Sequence, residues 1–218
     1  MQKFLFILSS LSLSLSAQQA TDLTVTLPDA GKLVDGQPVG EGWGSLIDPE
    51  LKVWNSEAEY WSVKDGVMHG ESKGGKHHHA YTKKEYGDFE LHAEIKMAGK
   101  GANSGVCIRL KPTNFDNCPG YQVDMGPGYW GCLWEERRSG MVQKFPRNLA
   151  DKLVKKNDFN HYYIIAKGHH IQAWLNGVKT IDVVHERGFP TGSIGFQLCH
   201  GKKETIVDVK TLMVKELK

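Results

Sequence analysis

Over residues 89–97 apolar and polar side chains alternate without a break. Phe89, Leu91, Ala93, Ile95 and Met97 take one parity, and Glu90, His92, Glu94 and Lys96 take the other. A period of two marks an extended strand, whose successive side chains point to opposite faces. A strand divided this way predicts one face on a core and one in water. The apolar face then needs a second layer to cover it.

Turn signals cut much of the remaining chain into short strands. Tyr60-Trp61-Ser62-Val63 and Val67-Met68-His69-Gly70 flank Lys64-Asp65-Gly66, which predicts a hairpin. Residues 161–165 and 171–175 predict a second hairpin, across Lys167-Gly168-His169. Asn176-Gly177 then returns the chain into 178–181. Residues 79–82, 103–111, 120–125, 195–198 and 205–214 read as further strands. Only 148–156 carries a helical signal, with Asn148 as cap and Leu149, Leu153 and Val154 on one side. Roughly ten short strands and at most one short helix predict an all-β sandwich of two antiparallel sheets.

Length and charge narrow the function. A chain of 218 residues suits one β domain, and a net charge of +2 does not point to nucleic acid or to an anionic membrane. Residues 1–17 read as a secretory signal peptide, with a positive start at Lys3, an apolar and serine run over 4–15, and cleavage near Ala17. The run is too short to span a bilayer, which takes about 20 residues. Gln18 rather than cysteine follows, so no lipid anchor is indicated. The expectation is an exported chain, periplasmic or secreted, with a linker or edge strand over 18–42 and one β-sandwich over 43–218. Export permits disulfides among Cys107, Cys118, Cys132 and Cys199, in any of three pairings. Cys118 and Cys132 flank a glycine-rich stretch that such a bond would staple, and Cys107 and Cys199 read as buried thiols. No Cys/His spacing suggests structural zinc.

Chemistry-bearing residues concentrate in 120–138. Tyr121, Val123 and Met125 alternate against Gln122 and Asp124, and the stretch ends in Glu135-Glu136-Arg137-Arg138. Asp124, Glu135 and Glu136 offer paired carboxylates for acid–base work, with a structural network to Arg137 and Arg138 as the alternative. Tyr121, Tyr129, Trp130 and Trp134 suggest stacking on sugar rings, one or two of them being core instead. Arg109 reads either as a solvated strand residue or as a fixed guanidinium on the site face. Asn103 precedes its strand, with a side chain expected to point the same way. In the run His77-His78-His79 alternation puts His78 opposite the other two, so threefold metal ligation is not expected and the run reads as exposed. His200 ends a strand beside a glycine, where site residues tend to sit. No G-x-S-x-G, Walker loop, G-x-G-x-x-G opening a helix or H-E-x-x-H is present, which excludes serine hydrolase, nucleotide-dependent and zincin readings.

The order of these pieces carries a resemblance. Trp61-x-Val63-x-Asp65-Gly66-Val67, Tyr86-Gly87-Asp88-Phe89-Glu90-Leu91 and Asn103-Ser104-Gly105-x-x-x-Arg109 come first. Gly120-Tyr121-Gln122-Val123-Asp124, Phe159-Asn160, Asn176-Gly177 and Gly192-x-Ile194-Gly195-x-Gln197-x-x-His200-Gly201 follow. The set resembles the 3-keto-disaccharide hydrolase family over 43–218. The resemblance implies a concanavalin-like jelly roll with its ligand on the concave sheet. It also implies a carbohydrate-active enzyme cleaving 3-keto-glycosides downstream of a sugar 3-dehydrogenase. Carried over, Arg109 would polarise the ketone oxygen, His200 or Asp124 would be the base, and Glu136 or Glu135 the acid. Asn103, Tyr121, Gln122, Trp130, Glu135, Arg138 and Gln197 would contact or position the sugar. A divalent metal at the ketone is allowed, with no ligands assigned. Gln122 and Asp124 stand where the family commonly has Glu then Gln, so the acid moves by two residues and keeps its strand face. A non-catalytic carbohydrate-binding module and, more remotely, a structural or adhesion domain are the alternative readings.

Overall fold

A computed structural model describes residues 23–198 and 204–218. The expected signal peptide over 1–17, Cys199 and His200 lie outside the described residues. In the alternating stretch Phe89, Leu91, Ala93 and Ile95 are fully buried. The strands in chain order begin with β1 (Leu33–Val34), β2 (Gln37–Pro38), β3 (Gly44–Ser45), β4 (Trp54–Asn55), β5 (Trp61–Lys64) and β6 (Val67–Ser72). Next come β7 (His78–Thr82), β8 (Phe89–Ala98), β9 (Ser104–Leu110), β10 (Gly120–Met125), β11 (Leu133–Glu136) and β12 (Gly140–Gln143). The set closes with β13 (Asn160–Lys167), β14 (His170–Leu175), β15 (Val178–Val184), β16 (Ser193–Leu198) and β17 (Thr205–Glu216). One helix, α1 (Arg147–Leu153), is present among the described residues. Its N-cap is Pro146, not the expected Asn148, and no side chain caps it.

Two antiparallel sheets carry the fold, in the orders β12-β11-β10-β9-β16-β7-β4 and β15-β14-β13-β8-β17-β6-β5. Val106, Ile108, Val123 and Phe196 of the first meet Leu91, Tyr162, Ile164 and Val207 of the second in one core. The predicted jelly-roll sandwich is the observed architecture. Its tight turns follow the sequence signals: Asp65-Gly66 joins β5 to β6 and Asn176-Gly177 joins β14 to β15, each pair at positive φ.

The polar parity of β8 is not all in water. His92 is fully buried, because the segment before β4 crosses over it. The Trp174 indole N–H donates to the Thr26 carbonyl at 3.2 Å, and the Trp43 ring meets His92 edge-on at 4.7 Å. Gly31 lies against Tyr163 so closely that a Cβ would come within 2.7 Å of the ring. His92 Nε2 faces the Ala30 carbonyl at 3.0 Å and its Nδ1 faces His161 Nε2 at 2.9 Å. Burial pushes both imidazoles down to about 4, and for His92 the neighbouring His161 adds to the shift. Unfolded histidines titrate near 6.5, so between about pH 6.5 and 4 the unfolded chain binds more protons than the folded one. Stability is therefore full above that window and falls as pH drops through it. The urea midpoint is expected to decline from pH 7 to pH 4.5, and His92→Gln is expected to make that decline shallower.

Of the breaks in regular pairing, the one in β9 bears on the site. β9 meets β16 through Leu110–Ser193 and Cys107–Gly195, so Ile108 and Arg109 together oppose Ile194. This bulge holds Arg109 at φ +53° and turns it off the sheet's outer face. Its guanidinium crosses to the other sheet, donating to the Gly168 carbonyl, to the Gly87 carbonyl at 3.2 Å and to Asp88 at 3.3 Å. Gly120 and Gly192 flank the bulge, where an added Cβ would sit 2.8 and 2.4 Å from the Arg109 backbone. The expected site-face guanidinium is thus corrected to a buried cross-sheet tie. Arg109→Met is expected to lower stability by about 2–4 kcal/mol in urea unfolding, because it removes a donor from two carbonyls and the opposite charge from Asp88, which keeps only the Gly168 N–H.

Candidate functional site

Strand parity sorts the 120–138 stretch into two sets. Tyr121, Val123 and Met125 enter the core, so Gln122 and Asp124 turn to the outer face of the seven-stranded sheet. Cross-strand pairing extends that face: Gln122 lies between Trp134 and Cys107, Asp124 beside Gly105, and Glu136 opposite Gly120. Phe196 and Leu198 belong to the core, so Gln197 shares the outer face and pairs with His79. The face therefore brings together Asn103, Gln122, Asp124, Glu136 and Gln197 of the expected site.

Asp124 is held from both sides. Its backbone N–H donates to Cys132 at 3.0 Å, and its carbonyl accepts from the Tyr162 hydroxyl of the opposite sheet at 2.9 Å. The Asn103 amide donates to Oδ1 at 3.4 Å and the Gln122 amide to Oδ2 at 3.3 Å. Two glycines make room for this arrangement. A Cβ on Gly105 would lie 2.3 Å from Gln122 Cγ, and one on Gly126 would lie 2.3 Å from Asn103 Nδ2. Burial pushes the Asp124 carboxyl up to about 7; the Gln122 bond pulls it down, the Glu136 charge raises it, and Asn103 lowers it. A carboxyl titrating near neutrality can both take and give a proton.

His79 joins the face from the side of Gln197. It is 3 % exposed, against the expected exposure of the His77–His79 run, and its backbone N–H donates to the Phe115 carbonyl at 3.0 Å. Nδ1 lies 2.8 Å from the Phe115 carbonyl, to which it donates, so Nε2 is the ring's acceptor. Burial holds the imidazole down at about 4 and hence neutral. His78 turns the other way, stacked on Tyr60 at 3.5 Å and paired with Glu57 at 3.0 Å. The pairing of His79 with Gln197 places it here, and no local motif announces it.

Residues 31–215 match the model of the 3-keto-alpha-glucoside-1,2-lyase-like domain. The chain belongs to that family. No curated protein matches it. Among solved structures, a proposed glycosyl hydrolase of Parabacteroides distasonis is 25% identical with a TM-score of 0.58, covering 80% of this chain and 99% of its own. The carbohydrate-binding module CBM66 of Bacillus subtilis is 14% identical, TM-score 0.55, covering 80% and 96%. The β-glucanase of Bacillus licheniformis is 11% identical, TM-score 0.54, covering 80% and 97%. The last two share the jelly-roll fold. Family and neighbours together support a carbohydrate-active protein.

Five residues expected at the site of this lyase-like domain lie elsewhere. Arg109 is the cross-sheet tie described above. Tyr121 is a core residue whose hydroxyl meets His185 Nδ1 at 2.8 Å, and Trp130 stacks on Tyr162 within the core. Glu135 takes the core parity and pairs with Arg138 at 3.3 Å; Arg138 in turn covers Phe189 and donates to the Arg187 carbonyl at 2.7 Å. Of the aromatic residues expected at the site, Trp134 and the exposed Tyr129 lie on its side, edge-to-face at 5.9 Å. Cys107, Cys118 and Cys132 are free thiols, so the Cys118–Cys132 bond that export would permit is not formed; Cys132 Sγ instead accepts from the Phe145 N–H at 3.3 Å. Burial raises the Cys107 thiol well above its ordinary value, which leaves it inert at neutral pH. Among the described residues no three His, Cys, Asp or Glu side chains converge to hold a metal ion, and no helix is long and apolar enough to cross a membrane.

The raised carboxyl of Asp124 has a stability consequence. An aspartate titrating near 3.9 unfolded and about 7 folded favours the folded state at low pH and penalises it above pH 7. Asp124→Asn is expected to be more stable than wild type at pH 8, with the difference shrinking toward pH 4. Paired urea titrations measure it.

Proposed function

We propose that this protein is an exported enzyme that cleaves the glycosidic bond of 3-keto-glucosides by elimination and rehydration. Export rests on the signal-peptide reading of residues 1–17. The observation that carries the catalytic reading is Asp124, a buried carboxyl pushed up to about 7, on the same sheet face as Glu136 in a domain of this family. A ketone at C3 acidifies the C2 hydrogen. Ionised Asp124 takes that proton and the electron pair passes to the C3 oxygen as an enolate, near the amide of Gln197. The enolate collapses, the C1–O bond breaks, and Glu136 protonates the departing oxygen. The collapse re-forms the C3 ketone, conjugated to a C1–C2 double bond; water then adds its hydroxyl at C1 while protonated Asp124 returns the proton to C2, giving net hydrolysis. Asn103 and Gln122 keep the base oriented. Arg109, engaged between the sheets, takes no part; His200 is the alternative base. The substrate's ketone must come from a sugar-oxidising enzyme acting upstream.

Incubation with a 3-keto-disaccharide and with its unoxidised parent tests this reading. Only the keto sugar is expected to be consumed, with kcat/KM rising through an inflection near pH 7. Asp124→Asn is expected to lower kcat about 10²- to 10⁴-fold. No turnover of the keto sugar, with or without added divalent metal, would sink the reading. Glycan binding that survives Asp124→Asn without turnover would assign a binding module instead.

A further inference from the structure

Asp124 and His79 stand on opposite flanks of the outer face. Asp124 pairs with Gly105 of β9, the next pairing step brings in Gln197 of β16, and Gln197 pairs with His79 of β7. Three strand-to-strand steps separate the two backbones, roughly 14 Å at the usual spacing. That exceeds one pyranose ring and approaches the length of a disaccharide. Over Gly105 the interval is floored by the Gln122 side chain, whose Cγ comes within 2.3 Å of where a Cβ on Gly105 would sit. A sugar reacting at Asp124 therefore extends its second ring toward His79.

The His79 ring is fixed in one tautomer by its bond to the Phe115 carbonyl, with Phe115 packed 5.7 Å from Tyr81 beside it. An imidazole held in this tautomer accepts a hydrogen bond at Nε2 and donates none. It matches a hydroxyl and cannot donate to a ketone oxygen. We propose that His79 is a positioning residue whose Nε2 accepts a hydrogen bond from a hydroxyl of the second, unoxidised sugar ring. This inference rests on the placement of the reacting ring at Asp124.

KM and kcat are measured for a 3-keto-disaccharide and for methyl 3-ketoglucoside, which lacks the second ring. His79→Phe is expected to raise KM for the disaccharide about tenfold, with kcat within about twofold and the methyl glycoside unaffected. His79→Gln, whose amide oxygen can stand where Nε2 stands, is expected to recover most of the loss. Should the Phe variant not fold, His79→Met takes its place. Equal losses on both substrates, or none on either, overturn the inference. If the wild-type protein turns over no keto-glycoside, the function proposed above fails instead. The same variants are then compared by calorimetric binding of the unoxidised disaccharide. Wild-type binding weakened by His79→Phe and restored by His79→Gln supports the inference. Binding that His79→Phe leaves intact, or no wild-type binding at all, overturns it.

Discussion

A guanidinium removed from water must find partners for both its charge and its N–H groups. Arg109 finds them on the opposite sheet, at Gly168, Gly87 and Asp88. To reach them the chain inserts one residue into β9, and that insertion decides which way its neighbours face. Cys107 stays on the outer face beside Gln122, and Leu110 joins Cys107 and Cys118 in a small apolar cluster there. The Tyr162 hydroxyl adds a second cross-sheet hold, on the carbonyl of Asp124 itself. The outer face is thus positioned from beneath, by groups that a bound sugar would never touch.

The chemistry of Asp124 is a contest between two effects of unequal size. Its amide partners sit at 3.3 and 3.4 Å, long for hydrogen bonds to a carboxylate and correspondingly weak. Loss of water is the larger influence, and the nearby Glu136 acts in the same direction. Shorter amide bonds would hold the carboxyl ionised well below neutrality. The long ones orient it without fixing its charge.

Fold and site were legible to different degrees. Alternation in 89–97 and the Asp-Gly and Asn-Gly turns are local signals, and the sandwich follows from them. Parity also placed Gln122 and Asp124 outward, and the same parity assigns Tyr121 inward with Val123 and Met125; its aromatic ring argued for the site only by residue type. Glycine turns over 126–131 break the count, so Trp130, Trp134 and Glu135 cannot be phased from the strand before them. Arg109 depends on a bulge, and nothing local to 104–110 reveals that Gly120 and Gly192 leave room for one. His79 is a matter of a distant partner: its face was readable, but the Phe115 carbonyl that fixes its ring comes from another loop.

The longest strand, β17, lies inside the eight-stranded sheet, paired along its length with β8, over residues 205–209 with β6, and near its far end with β3, the eighth strand. Of these, β8 and β6 are synthesised far earlier in the chain. Until β17 arrives, each exposes an unpaired edge and an uncovered apolar face, the arrangement that invites association with other chains. Closure of this sheet is a non-local event that pays its loop entropy before any contact rewards it, so folding is slow by topology. A nascent chain whose β17 has not yet emerged has no completed sandwich, and its folding belongs to the time after that strand is free to pair.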